Sequence, residues 1–439
     1  MESCTASAED ALIDGLSFKL GNSASYITDR KSCTFQASGS NIYTGSGSGT
    51  KVIKFQLNAD GWLDPSTTRV MFNLVNKGTA AQMLRPLQGA YSFFRRLRIT
   101  ANGALVEDIS DYNRVHHMFE VLTSVHNRDN DDIEGFGYRS DTTQPGVAHT
   151  EATGSLPGIA GQSHQTVSFK LCSGLFSQSK MIPLKYCPLT IELELVTNHL
   201  DPIVDPTTAG FAAADTSTDF EISDVSVKTD IVTLDNTLQN NYDSHLLSGK
   251  SLPISYNTYI VQSQVVAGKD VSVNMSRAIS RLKSVFVALY RAPGTAKPED
   301  KEWLNFYHPM SAVASYSKAH ELEFQIQIGS KLYPEYPIRS LAESFAQLKK
   351  SVGILGSNFH SVSISPKQYR NQHFILGVDT ELSTGASWTG KSTKTDDLLT
   401  VKMKADRDID ITKLPTQMMV ALHSDNVMSI SDGGVDVWD

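Results

Sequence analysis

The chain has 439 residues, 40% hydrophobic and 20% charged, which is too apolar for disorder and long enough for two or three domains with cores of their own. A net charge of -8 excludes a protein built to coat nucleic acid, which would gather lysine and arginine on one face. Cys4, Cys33, Cys172 and Cys187 form no CxxC pair, so reduced thiols are expected, with a Cys172–Cys187 bridge open but unsupported.

Residues 1–25 read as an N-terminal arm, with Ser7 placed to cap a short helix through Leu12 and Leu16. The opening MESCTASAEDALIDGL lacks a basic-then-apolar pattern, and no stretch approaches the roughly 20 apolar residues of a membrane span, so neither signal peptide nor span is expected. Turn-rich sequence at 37–50 precedes strands expected at 51–58, 69–75 and 94–100. Over 111–124, Tyr112, Val115, Phe119 and Leu122 fall at helical steps, with Asp111 as the expected N-cap. The polar, glycine-rich stretch 125–164 reads as one long loop. Strands follow at 166–171 and 188–196. In the second, PLTIELELV, Ile191, Leu193 and Leu195 face one way and Glu192 and Glu194 the other.

An insertion at 197–219 leads to a strand at 220–234 and a connector helix at 236–247, stopped at Gly249. The division between the halves belongs near 249–253. Beyond it, strands are expected at 254–266, 269–275, 282–292, 321–329, 374–382, 398–405 and 418–430, with a helix at 341–348 and a loop at 385–395.

Two passages share one plan. LRITANGALVEDISDYNRVHHMFEVL begins at Leu97, and FQIQIGSKLYPEYPIRSLAESFAQL begins at Phe324, about half a chain length later. In each, an alternating strand ends in a polar turn (Asn102-Gly103; Gly329-Ser330). An apolar pair (Leu105-Val106; Leu332-Tyr333), an acidic residue (Asp108; Glu335) and an amphipathic helix follow. Such internal similarity points to a duplicated module. Many short strands with few helices fit antiparallel sandwiches rather than βαβ units. The expected fold is all-β, two consecutive eight-stranded antiparallel jelly rolls with short inserted helices. The arm spans 1–25, the first roll with its connector helix 26–249, and the second roll 250–439.

GLFSQSKMIPLKYCPLTIELELV (174–196), YPEYPIRSLAESFAQL (333–348), FILGVDTEL (374–382) and MMVALHSDNVMSI (418–430) carry a resemblance, strongest in their joint order. In these the chain resembles the double jelly-roll major capsid proteins of tailless icosahedral double-stranded DNA viruses, the lineage of nucleocytoplasmic large DNA viruses, virophages, polinton-like viruses and adenovirus hexon. The resemblance implies a homotrimer whose six rolls form a pseudo-hexagonal capsomer tiling the virion shell, assembled inside the infected host cell. Its partners would be neighbouring capsomers, penton and minor capsid proteins and inner membrane-associated proteins, without sequence-specific nucleic-acid binding. Segments 125–164, 197–219, 293–320 and 383–397 would be tower or intersubunit loops, and the N-terminal arm would lie on the inner side.

No catalytic, cofactor-binding or metal-binding residue is nominated. Glu192 with Glu194, and Glu321 with Glu323, would suit a glycosidase only if two carboxylates faced each other across a cleft, and a solvated sheet face explains them better. Asp129, Asp131, Asp132 and Glu134 lack the loop glycine and bidentate glutamate of an EF-hand. Of the adjacent His116 and His117, the first is expected to join the buried stripe and the second to face outward. Asn274 heads a formal glycosylation sequon within an expected strand, and Trp62, Trp303, Trp388 and Trp438 are too scattered for a sugar platform. There is no GxSxG, HExxH or P-loop. The alternative is a two-domain β-sandwich carbohydrate-active enzyme or glycan-binding surface protein.

Overall fold

The structure is a computed structural model that describes residues 26–46, 51–136, 158–203, 216–291, 305–357, 362–383, 389–394 and 398–439. The expected arm with Ser7 and Cys4, most of the 125–164 stretch, and Trp303 and Trp388 lie outside the described residues.

The first half contributes β1 (Ile27–Ser38), β2 (Ile42–Thr44), β3 (Val52–Leu57), β4 (Trp62–Asn76), β5 (Phe94–Ala101), β6 (Ala104–Ser110), β7 (His164–Lys170), β8 (Ile182–Pro183), β9 (Leu189–Leu195) and β10 (Phe220–Leu234). Its helices are α1 (Tyr112–Glu120), α2 (Val125–Glu134), α3 (Gly174–Ser177) and α4 (Asn236–Leu247). The second half contributes β11 (Leu252–Val265), β12 (Asp270–Met275), β13 (Leu282–Tyr290), β14 (Leu322–Ile328), β15 (Lys331–Ile338), β16 (Ile375–Asp379), β17 (Leu399–Ala405), β18 (Gln417–Ser431) and β19 (Gly434–Trp438), with helices α5 (Leu341–Ser351) and α6 (Pro366–Asn371).

The strand orders give the architecture. The first half pairs as β1-β10-β4-β7 and β3-β9-β5-β6, the second as β11-β18-β13-β16 and β12-β17-β14-β15. With the short β2, β8 and β19 set aside, the two arrangements are the same. The first strand lies beside the last, followed by the third and sixth; the second lies beside the seventh, followed by the fourth and fifth. This is the jelly roll, written twice and antiparallel throughout. In the first barrel the sheets join where Ala37 and Ser38, at the end of β1, cross over to pair with Phe55 and Lys54 of β3.

Alternation fills each core. Leu189, Ile191, Leu193 and Leu195 of β9 are buried and the residues between them are not, and Leu322, Phe324, Ile326 and Ile328 of β14 repeat the pattern. Each such side chain contributes about 1.5–3 kcal/mol on burial. In the first barrel Phe72 meets Phe94 edge-on at 5.6 Å, and Phe93 meets Phe220 at 5.0 Å, the arrangement ring quadrupoles favour. β13 and β18 are buried almost without a break, because elements of the first half cover the face that would otherwise meet water.

Several elements differ from expectation. β1 was not foreseen: ITDRKSCTFQAS has no buried residue to make a pattern. β4 begins at Trp62 rather than 69: between Asp64 and Arg69, which pair with Asp230 and Lys228 of β10, β4 carries a bulge of extra residues that holds Pro65. β6 and β15 are full strands, so the repeated unit is a hairpin followed by a helix. The hairpins turn at Asn102-Gly103 (φ 47° and 86°) and at Gly329 (φ 59°). The stretch read as a loop from 125 opens with α2, whose first turn is capped by Ser124 accepting from the Asn127 amide at 3.1 Å. Asp111 occupies the N-cap position of α1 as expected, but at φ 47°, ψ 40° its side chain makes no bond to the helix, and its carboxylate accepts from Ser263 of β11 instead. α5 runs to Ser351 behind a capping box of Ser340 and Glu343.

Candidate functional site at the seam between the barrels

Helix α1 leaves β6 and lies between the two halves. Phe119 packs on Tyr259 (4.4 Å between centroids) and edge-on to Phe286 (5.3 Å), while His117 packs near Phe306 (5.5 Å) and His373 (6.0 Å). Arg114 lies over the Tyr290 ring at 4.5 Å and is held at 2.9 and 3.2 Å by Asp201, which also accepts from Asn113 at 3.0 Å. Both ends of the ion pair are buried. Burial works against the Arg114 charge, but the Asp201 carboxylate more than offsets it, and the guanidinium pKa lies above its ordinary value. Because each charge depends on the other, the pair fixes geometry more than it adds net stability.

A second polar anchor lies at Glu107. Its carboxylate is buried in β6 and accepts from the Ser173 hydroxyl and from the amides of Gly174 (3.0 Å) and Leu175 (3.4 Å). Burial raises its pKa; the bonds from Ser173, Gly174, Leu175 and Thr258 oppose that rise without cancelling it. The bonds pin the start of α3 against β11, where a Cβ on Gly174 would stand 1.3 Å from the Asn257 carbonyl oxygen. Tyr256 of β11 donates to the Val106 carbonyl at 2.9 Å, and Lys180 to that of Pro253 at 3.1 Å.

Beside these anchors the seam opens into a polar cavity of roughly 770 Å³, lined among others by Gln178, Asn257, Lys283, Asp379, Glu381 and His423. Lys283 sits between Glu381 (3.3 Å) and Asp425 (3.7 Å). His423 stacks on Tyr259 at 5.1 Å and meets the Ser284 hydroxyl at 3.2 Å; burial first, then Lys283, pushes its pKa down to about 4. The carboxylates of Glu381 and Asp425 thus neutralise a lysine, an arrangement that holds walls together rather than one that cleaves a glycosidic bond.

The candidates from sequence fall elsewhere. Glu192 is paired with Lys54 (3.4 Å) and Arg98 (3.6 Å), and Glu194 with Arg95 (2.6 Å), as a ladder on the outer sheet face. Glu323 pairs with Arg339 at 3.1 Å, and Glu321 accepts from Tyr316. These contacts do not favour the carbohydrate-active alternative. The acidic run lies on α2, where Glu134 meets Arg69 at 3.5 Å, and among the described residues no group of three or more His, Cys, Asp or Glu is arranged to hold a metal ion. The histidine expectation is reversed: His117 is buried and His116 only half-buried, because α1 is covered from both barrels rather than along one stripe. Cys172 and Cys187 are unbridged, and burial pushes both thiols up to about 12. Asn274 accepts from Thr400 at 2.9 Å on β12, and Trp62 packs on Tyr242 at 4.8 Å.

Glu107, Arg114, Gly174 and Asp201 were not singled out from sequence. An extra residue in β6, Val106, opposite the Ile99–Thr100 step of β5, lets the adjacent Val106 and Glu107 both be buried, which no local sequence pattern announces.

No family model matches the sequence, and no curated protein is similar to it in sequence. Solved structures are similar in fold. VP54 of PBCV-1, fitted into a cryo-EM reconstruction of the virophage Sputnik, superposes with a TM-score of 0.63 at 11% identity, over 96% of this chain and 99% of its own. A quasi-atomic model of the PBCV-1 virus capsid gives 0.60 at 11% identity over 96% and 99%. The Faustovirus major capsid protein gives 0.60 at 9% identity over 96% and 94%. At such identity the likeness is one of fold: the chain has the double jelly-roll fold of these capsid proteins across nearly its whole length.

Proposed function

We propose that this chain is a non-enzymatic major capsid protein of a tailless icosahedral double-stranded DNA virus, and that three copies form a pseudo-hexagonal capsomer tiling the virion shell. The observation that carries the reading is the repeated strand order, one jelly roll per half, docked through a buried seam. A pair of rigid slabs fixed side by side is a building block, and the paired carboxylates are neutralised by cations rather than poised for chemistry. In this reading the units divide as 26–249 and 250–439, in keeping with sheets that share no strand, and residues 1–25 are assigned the role of an arm on the inner side of the shell. The partners in this reading are neighbouring capsomers, penton and minor capsid proteins and inner membrane-associated proteins. Contacts repeated over a shell can each be weak and still hold it.

Sedimentation velocity and negative-stain electron microscopy of the purified protein test the reading. A three-chain particle with a pseudo-hexagonal outline is the expected result; a stable monomer under assembly conditions refutes it.

A further inference from the structure

We propose that the tip of the β5–β6 hairpin is a self-modifying site. Asn102 is converted there to aspartate and isoaspartate with the Gly103 amide as nucleophile, and the conversion loosens the C-terminal strand β19 from the first barrel.

The chain holds a single Asn-Gly step, and the fold places it at this tip. Both residues are exposed, and both lie at positive φ, 47° and 86°. Glycine presents its main-chain nitrogen with no side chain beside it, and nothing stands within 4 Å of where a Cβ on Gly103 would be. In a two-residue turn the ladder is carried by the flanking pair, here Ala101 and Ala104, which leaves the Gly103 amide out of it. Asn102 is anchored through its main chain, whose amide donates to the Pro188 carbonyl at 2.9 Å. Its carboxamide nitrogen lies 3.9 Å from the Cβ position of Gly434, at the start of β19.

The step needs water alone as co-reactant. The Gly103 nitrogen attacks the side-chain carbonyl carbon of Asn102 and forms a C–N bond. The carboxamide C–N bond breaks, and ammonia leaves with the proton that the Gly103 nitrogen gave up. Water then opens the five-membered ring at either carbonyl, which leaves aspartate or isoaspartate; nothing is oxidised or reduced. Ring closure requires rotation about the Asn102 Cα–C bond, so it occurs during openings of the tip, which cost little at a loop end.

Both products disturb what the tip touches. Isoaspartate carries the main chain through Cβ and adds one carbon to a turn whose length sets the hairpin register. Either product adds a negative charge beside the β18–β19 turn, where Ser431 pairs with Gly434 and where Asp432 and Asp436 are exposed. Like charges brought together oppose the contact. Val435 and Val437 of β19, packed on the core, lose the neighbour that holds their strand in place. The duplication supplies an internal comparison: the matching tip of the second barrel is Gly329-Ser330, with no asparagine to convert.

Incubation of the purified protein at mildly alkaline pH tests the proposal. Peptide mapping by mass spectrometry follows Asn102, and hydrogen exchange follows β19. Conversion is expected within about tenfold of its rate in a synthetic peptide of the same hairpin sequence, because loop tips open readily. A folded chain that stays unconverted while the peptide reacts overturns the site. In converted protein the amides of Gly434–Trp438 are expected to exchange about tenfold faster, the worth of about one hydrogen bond. Unchanged exchange there overturns the link to β19. Asn102→Gly suits the turn and has no carboxamide, so after the same incubation it is expected to keep the exchange of fresh protein. Faster β19 exchange in that incubated variant also overturns the link.

Discussion

Gly174→Ala sets helix propensity against the seam. Gly174 opens α3, where alanine is intrinsically favoured by about 1 kcal/mol, and its φ is not left-handed, so the backbone itself permits the change. The obstacle is across the seam: the new Cβ would lie 1.3 Å from the Asn257 oxygen and 2.5 Å from its carbonyl carbon. A carbon needs about 3.5 Å, so the α3 turn must retreat from β11 by about 2 Å, and the obstructing atoms are backbone that cannot rotate aside. Overpacking costs about 1–3 kcal/mol, and loss of the Gly174 amide from the buried Glu107 carboxylate about 1–3 more. Set against the propensity gain, the net loss is about 1–5 kcal/mol. For a unit of this size that lowers the midpoint by about 2–20 °C in differential scanning calorimetry. Gly356→Ala, at a position with nothing within 4 Å and no left-handed φ, is the control and is expected within about 0.5 kcal/mol of wild type. A Gly174→Ala protein that melts at or above wild type would refute the account of the seam.

Three further outcomes follow from the same contacts. Asp201→Ala leaves the Arg114 charge buried and uncompensated and is expected to cost about 3–5 kcal/mol in urea denaturation, whereas the joint change Arg114→Met, Asp201→Leu recovers most of that loss. His423 and His308 are held neutral, with pKa values pushed from 6.5 down to about 4 and about 3, so the stability they contribute is complete above pH 6.5 and is lost as pH falls through those values. For His423 the loss approaches about 3 kcal/mol, and in acid melts of His423→Gln the stretch between pH 6.5 and 4 should be flatter than in wild type. Glu107 has the opposite sign: its pKa is raised from 4.5, so its stabilising effect is complete below that value and declines as pH rises through the folded pKa. The advantage of wild type over Glu107→Gln in denaturant midpoint should therefore shrink above about pH 4.5, and an advantage that grows with pH contradicts a desolvated carboxylate.

The duplication was legible because Asn102-Gly103 and Gly329-Ser330 are turn chemistry, and the flanking alternation is a local signal. β9, β10, β14 and β17 were legible for the same reason: one face is buried and the other wet, so sequence carries a period of two. β1 escaped because its core-facing residues Cys33, Phe35 and Ala37 are only partly buried and lie at one end of the strand, and β4 because Asp64-Pro65-Ser66 reads as a turn unless the bulge within β4 is known. The seam was not legible at all. Glu107 finds its donors more than sixty residues away, and Arg114 finds Asp201 across a similar gap. Nothing in a local window distinguishes those residues from solvated charges. The reversal of His116 and His117 has the same origin, since α1 is buried by a barrel that sequence places elsewhere.

First-with-last pairing also governs timing. β1 waits for β10, and β11 for β18, so neither barrel can close until nearly its entire stretch of polypeptide has left the ribosome. Contacts so distant along the chain form slowly. Until β11 and β18 arrive, a nascent first barrel displays the apolar side of α1 and the uncovered β6 edge, the kind of surface on which unfinished chains aggregate.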